Sequence, residues 1–157
     1  MKAKEFKTIQ DSNLKTLLGI VCEYYEITKE NLIAGGNKRI FVEPRQVFFY
    51  IAKTEIHAPL SKIGRFLDKH HSTVIHSIDV ISAEVIYNRP LRTRVEAITK
   101  VYKDTISKEI RDFEERKKNA KKALEDLTGL IQSNQYIADG DTFNRANTIL
   151  NKLKDLI

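Results

Sequence analysis

Cysteine is nearly absent from this sequence, and long apolar runs are absent altogether. Cys22 is the single cysteine among 157 residues, so no internal disulfide is possible, and its place in "LLGIVCEYY" favours a buried, unreactive thiol. No apolar run approaches the roughly 20 residues that a membrane-spanning helix needs. The start "MKAKEFKTIQ" lacks the apolar segment of a signal peptide. These features predict a cytoplasmic protein with no membrane partner.

The sequence also lacks the motifs of nucleotide-binding, metal-binding and catalytic proteins. It has six glycines and no G-x-x-x-x-G-K-[ST], which excludes a Walker phosphate loop, so no nucleotide and no cofactor is expected. His71 and His76 are five residues apart and fall on different faces of a helix, which argues against zinc. Asp68 is interpreted as a turn residue and Asp79 as a solvated helix residue, so the expectation is that the protein is not an enzyme.

Positive charge is concentrated in the middle of the chain. Residues 36–103 carry twelve Lys/Arg and six Asp/Glu, whereas the segments before and after them are each neutral. The whole net charge of +6 therefore lies in this central segment. Positive charge that is confined to one segment favours binding to a polyanionic partner. The alternative is that the charge serves solubility alone.

Apolar residues recur at three- and four-residue spacing along most of the chain, which predicts an all-α protein. Asp11 or Ser12 is expected to cap the first helix, Thr28 the second and Asp141 the last, with Pro44 in the first turn of the third. The predicted helices are 12–26, 29–35, 44–57, 59–67, 72–86, 91–131 and 142–157.

Two short helices with a tight connection form a helix-turn-helix pattern: "LSKIGRFL", then "DKHH", then "STVIHSI". Gly64 stands where a close helix crossing often needs a small residue. In such units the N-terminal residues of the second helix contact base edges in the major groove. The pattern therefore predicts a recognition helix that begins with hydrogen-bonding side chains.

Three segments, "EYYEITKENLIAG", "EPRQVFFYIAK" and "IGRFLDKHHSTVIHSI", occur in an order and spacing that resemble the C-terminal DNA-binding domain of the bacterial replication initiator DnaA. The resemblance covers roughly residues 10–88. It implies a small helical bundle related to that of the Trp repressor, which binds short double-stranded sites. The chain would then hold the DNA-reading part of an initiator without its ATPase.

The resemblance also implies which residues contact DNA. Arg45, Gln46 and Lys53 match phosphate-contacting positions, and Leu60 and Ser61 match a Leu-Pro pair near thymine methyls. Alternatives are a surface salt bridge for Arg45 and local packing for His76. The full predicted set is Lys38, Arg39, Arg45, Gln46, Lys53, Leu60, Ser61, Lys69, His70, His71, Ser72, Thr73 and His76.

Several positions differ from the family signature. Lys69 stands in place of arginine, His70 in place of aspartate, and Glu43 in place of an arginine before "PRQ". Asn37 occupies the position of a minor-groove arginine, although Lys38 and Arg39 adjoin it. An aspartate accepts from a cytosine amine, whereas a neutral histidine at position 70 can donate to guanine.

Two functions from different classes remain open. The first is a sequence-preferring double-stranded DNA-binding protein in replication initiation or its regulation, with transcription or a mobile element as other settings. The second is a protein–protein interaction module that keeps the bundle fold. The charge distribution and the polar start of the recognition helix favour the first.

We expect a DNA-binding domain at 8–90 and a helical extension at 91–157. A helix of about 40 residues is roughly 60 Å long, and the last helix covers about 24 Å of it. The uncovered apolar seam predicts self-association through 91–157, most simply a two-fold dimer that binds paired half-sites. The alternative is a monomeric hairpin that folds back at a break near "EERKKNAKK".

Overall fold

The computed structural model describes residues 3–36, 38–133 and 140–154, and helix is the regular secondary structure throughout those residues. The all-α prediction is confirmed. No helix among these residues is long and apolar enough to cross a membrane. The helices are α1 (Ala3–Tyr24), α2 (Lys29–Ala34), α3 (Arg39–Thr54), α4 (Leu60–Phe66), α5 (His71–Tyr87), α6 (Arg89–Ser133) and α7 (Gly140–Lys154).

The chain forms two compact units, Met1–Ile106 and Ser107–Ile157. The expected domain boundary at residue 90 therefore falls inside the first unit. The reason is that the start of α6 belongs to the core of that unit, where Leu91, Val95, Ile98 and Tyr102 are buried. A fragment that ended at residue 90 would lose this part of the core.

Helix α3 is the centre of the first unit, because it packs against α1, α2, α4 and α5. The apolar spacing of α3 predicts an inward face made of Val47, Phe48, Ile51 and Ala52, and all four are fully buried. Further fully buried side chains come from the remaining helices of the unit and from the turn after α4, among them Leu14, Leu17, Val21, Leu32, Ile63, Leu67, Val74, Ile81 and Ile98.

The ends of α2 follow from local chemistry, as expected. The Thr28 hydroxyl accepts a hydrogen bond from the Asn31 backbone N–H at 3.2 Å, which satisfies one free donor of the first turn. Gly35 ends the helix, and Phe41 packs so closely on it that an added Cβ would collide with the ring. Gly36 then adopts φ +61°, a conformation that glycine reaches without strain.

Two predicted helix starts were wrong. Helix α1 begins at Ala3, so Asp11 and Ser12 lie within it and do not cap it. Helix α3 begins at Arg39, five residues before Pro44, which lies inside the helix beyond its first turn. The residues before the proline already have helical hydrogen bonds, from the N–H groups of Phe41 and Val42 to the Lys38 carbonyl, and Phe41 packs on Gly35. The contact between Phe41 and Gly35 is not visible as a local pattern.

Other ends of the helices also differ from expectation. Helix α3 ends at Thr54, before His57, which has φ +54°. The sequence predicts that Asn88 and Pro90 end one helix and start the next. Asn88 does end α5, and its Oδ1 accepts from the Leu91 N–H at 3.1 Å, so it also caps α6. Asp141 lies in the first turn of α7, because that helix begins at Gly140.

The helix-turn-helix connection is as tight as the sequence predicts. Residues 67–70 join α4 to α5, and Asp68 has φ +50°. The Gly64 carbonyl accepts hydrogen bonds from the N–H groups of Leu67 and Lys69 at 3.1 and 2.9 Å. A Cβ at Gly64 would collide with the Lys69 carbonyl, so the need for a small residue here is confirmed.

The second unit consists of the later part of α6 together with α7. Helix α6 is continuous through "EERKKNAKK", as the apolar pattern predicts, so the break that the monomeric-hairpin alternative requires is not found there. Leu124 and Leu150 are buried, whereas Ile110 and Phe113 are 57% and 64% exposed. Self-association through 91–157 stays a prediction, and the predicted loop at residues 134–139 lies outside the described residues.

Gly64→Ala should destabilise the first unit by about 1–3 kcal/mol, because the turn backbone would have to move to admit a methyl group. Gly19→Ala is the matched control: this glycine lies inside α1 with nothing within 4 Å of an added Cβ. That change should stabilise the protein by roughly 0.5–1 kcal/mol. Urea denaturation measures both, and equal midpoints would contradict the close crossing.

Candidate nucleic-acid interface

The N-terminal end of α5 presents a run of polar side chains to solvent. His71, Ser72, Thr73 and His76 are all exposed. The opposite face of the helix is held by the buried Val74, Ser77 and Ile81. The helix therefore has a fixed orientation in the bundle, and the residues predicted to contact DNA lie on its free side.

His70 caps α5 through its ring. Its Nδ1 accepts a long hydrogen bond, 3.4 Å, from the Ser72 backbone N–H and lies 2.9 Å from the Ser72 hydroxyl. In the tautomer in which Nδ1 accepts from the backbone N–H, the proton of the neutral ring is on Nε2. That tautomer leaves His70 with one free donor, and its ring lies against the His71 ring with 4.0 Å between centroids and a tilt of 44°.

Helix α4 packs against α5 and carries the next two predicted residues. Leu60 is half-buried and Ser61 is exposed in the first turn of α4. Arg65, one turn further on, is also exposed, and its Nε donates to the Ser61 carbonyl at 3.3 Å. Arg65 was absent from the predicted set, although the excess of basic residues in 36–103 includes it.

Lys69 has a structural contact. Its Nζ donates to the carbonyl oxygen of Ile33 at 3.0 Å, near the end of α2. A helix C-terminus has free carbonyl groups and partial negative charge, so an ammonium is favoured there. Lys69 therefore ties α2 to the turn of the helix-turn-helix.

Arg45 is buried, with 9% of its surface exposed. One guanidinium nitrogen donates to the Gly36 carbonyl at 2.7 Å, and Nε is buried with no hydrogen-bond partner among the described residues. Burial lowers the pKa of this guanidinium. Through this hydrogen bond Arg45 stabilises the turn between α2 and α3. The phosphate contact that the resemblance implies for Arg45 stays a prediction.

Glu43 replaces a basic residue of the family signature, and its contacts give a reason for the carboxylate. Its Oε1 accepts from the Tyr25 hydroxyl at 3.1 Å and lies 2.9 Å from Nε of Arg94. Burial of Tyr25 and the neighbouring charge of Glu43 raise the pKa of the phenol. Glu43 thus joins α3 to the end of α1 and to α6.

The remaining predicted residues lie on or beside α3. Lys38 and Arg39 are exposed at its start, Lys53 is exposed in its last turn, and Gln46 is half-buried. Asn37, expected at the position of a minor-groove arginine, lies outside the described residues. The structure therefore leaves three of these cations free to meet an anionic surface.

Lys62 of α4 was not among the predicted residues, and it is buried. Its Nζ lies 3.0 Å from Oδ1 of Asp11 and 3.3 Å from Oε1 of Gln10. This contact holds α4 against α1 and so supports the helix that precedes the turn. Across residues 3–36, 38–133 and 140–154, no group of three or more His, Cys, Asp or Glu side chains is placed to hold a metal ion.

Comparison with known proteins places the similarity on this unit. Residues 14–81 match the family described as the bacterial dnaA protein helix-turn-helix. The chromosomal replication initiator protein DnaA of Desulfatibacillum aliphaticivorans is 30% identical over 82 residues, 52% of this chain and 18% of that protein. The chromosomal replication initiator protein DnaA of Bacteroides fragilis is 30% identical over 88 residues, which are 55% of this chain and 18% of that protein. The chain thus spans about a fifth of these relatives.

Arg45→Ala should lower the free energy of unfolding by about 1–3 kcal/mol, because a buried hydrogen bond is lost and the Gly36 carbonyl stays unpaired. Lys38→Ala, at the exposed position just before α3, should change it by less than about 0.5 kcal/mol. The urea midpoints of the two variants measure the difference. An unchanged midpoint for Arg45→Ala, with weaker binding to every duplex, would favour phosphate contact instead.

Proposed function

We propose that the first unit binds double-stranded DNA with sequence preference and inserts the N-terminal end of α5 into the major groove. The observation that carries this proposal is the exposed run His71–Thr73 on a helix whose other face is buried. Donors and acceptors in this position meet base edges when such a helix docks. The match to a dnaA helix-turn-helix over residues 14–81 supports the same reading.

The basic residues around the motif supply the attraction to the phosphate backbone. Lys38, Arg39, Lys53 and Arg65 are exposed on α3, α4 or just before them. Contacts of this kind position a protein on the duplex and carry no sequence information. Arg65 is added here to the residues taken from the sequence, whereas Lys69 contributes through the turn that it holds.

The biological role that we propose is replication initiation or its regulation. Its support is that the relatives are named chromosomal replication initiator proteins and that the shared segment is the helix-turn-helix. The base preference should differ from that of the relatives, because His70 offers a donor where their signature has a carboxylate.

Binding to duplex DNA should weaken steeply with salt. If about five phosphates are neutralised, the logarithm of the association constant should fall against the logarithm of salt concentration with a slope of roughly −4 to −5. Lys53→Ala should make this slope shallower by about one. Lys118→Ala, an exposed lysine in the second unit, is the matched control and should leave the slope unchanged. A flat response of the full chain would favour the interaction-module alternative.

His70→Asp should change the preferred base pair and leave the fold intact. Aspartate is a good N-cap, so α5 keeps its first hydrogen bond. The free Nε2–H donor is replaced by an acceptor, which favours the cytosine amine over the guanine N7 and O6 by about 1–3 kcal/mol. Selection from random duplexes with both proteins, followed by sequencing, measures the change.

His70→Asn is the control for that experiment, because its amide can cap through oxygen and still donate through nitrogen. It should keep the preference of the native protein at that position. Identical preferences for the native protein and His70→Asp would show that the ring does not contact a base.

A further inference from the structure

Ile75 lies on the exposed side of α5, although the apolar spacing predicts that it faces the core. It is 42% exposed, whereas Val74, Ser77 and Ile81 are buried and Ile78 and Val85 are half-buried. Successive residues of an α-helix are rotated by about 100°. Ile75 is therefore turned by that angle away from Val74, which is at the centre of the buried face.

Ile75 therefore lies on the same helix face as two of the residues that begin α5. His71 is four positions before it and Ser72 three, and side chains at these spacings share one helix face. Asp79 continues the same face one turn later and is exposed as well. Between His71 and Asp79, this face thus contains one apolar side chain, Ile75, among polar ones.

The chemistry of the major groove leaves one partner for such a side chain. Base pairs present hydrogen-bond donors and acceptors there, and the single apolar group on their edges is the C5 methyl of thymine. We propose that Ile75 recognises a thymine in the target site by packing against that methyl group. This inference rests on the proposed function and adds one specificity-determining contact to it.

Thr73 also carries a methyl group, but it lies on a different side of the helix. The two residues are two positions apart, which separates them by about 160° around the helix axis. A single thymine methyl is therefore contacted by one of them and not by both. The same separation lets each side chain be altered without disturbing the other.

The test compares thymine with deoxyuridine, which lacks the methyl group and keeps every hydrogen-bonding group. In the duplex recovered by selection from a random pool, each thymine is replaced in turn, and binding of the full chain is measured. At one thymine the native protein should lose about fourfold in affinity, the effect of one buried methyl group. Ile75→Ala should bind the thymine and deoxyuridine duplexes equally at that position.

Thr73→Ser keeps the hydroxyl, removes the neighbouring methyl and should retain the fourfold difference. Loss of the difference in Thr73→Ser with its persistence in Ile75→Ala would assign the contact to Thr73 and overturn this inference. Sequence-preferring binding with no effect at any thymine would overturn it as well and leave the proposed function standing. Failure to bind any duplex would overturn both. The urea midpoint of Ile75→Ala shows that the variant is folded.

Discussion

The position of the polar N-terminal end of α5 depends on one contact, the close approach of Gly64 to the carbonyl of Lys69. With no side chain at position 64, the backbone that leaves α4 can turn within four residues and enter α5. The two hydrogen bonds to the Gly64 carbonyl fix that turn, and the positive φ of Asp68 completes it. The direction of α5, and with it the position of every polar residue at its start, follows from this crossing.

Around the turn, several basic side chains hold the bundle together. Lys69 is bound to the end of α2, Arg45 to Gly36, and Lys62 to Gln10 and Asp11. Each of these contacts joins the turn or its neighbours to another helix. Other basic side chains, among them Lys53 and Arg65, are exposed to solvent. Both groups carry the same positive charge. What distinguishes the cations that stabilise the bundle is that each has a hydrogen-bond or ion-pair partner on another helix or turn.

Periodicity and turn chemistry predicted most of the fold. Asn88 and Thr28 were identified as caps because a polar side chain before an apolar run has few other local uses, and Gly64 because a tight connection needs a small residue. The start of α3 could not be found this way, because it involves the contact of Phe41 with Gly35 at the end of α2 and the contacts of Glu43 with Tyr25 and Arg94, which are remote in the sequence. The prediction that Ile75 faces the core was wrong. An isoleucine next to a buried valine fits the apolar periodicity of a helix as well as one that is buried. The partners of Lys69 and Arg45 are backbone carbonyls, which leave no trace in the sequence.

The hydrogen bond from Lys69 to Ile33 has a consequence for the kinetics and entropy of association. A lysine that is fixed on a carbonyl, next to a turn fixed by its own backbone bonds, has lost its rotamer freedom before any partner arrives. Preorganisation of this kind lowers the ordering entropy that accompanies binding. The entropy loss on complex formation then falls on the exposed side chains at the start of α5 and on the exposed basic residues around it. The helix-turn-helix should meet its partner as a rigid body, so affinity differences between sites will appear mainly in the dissociation rate.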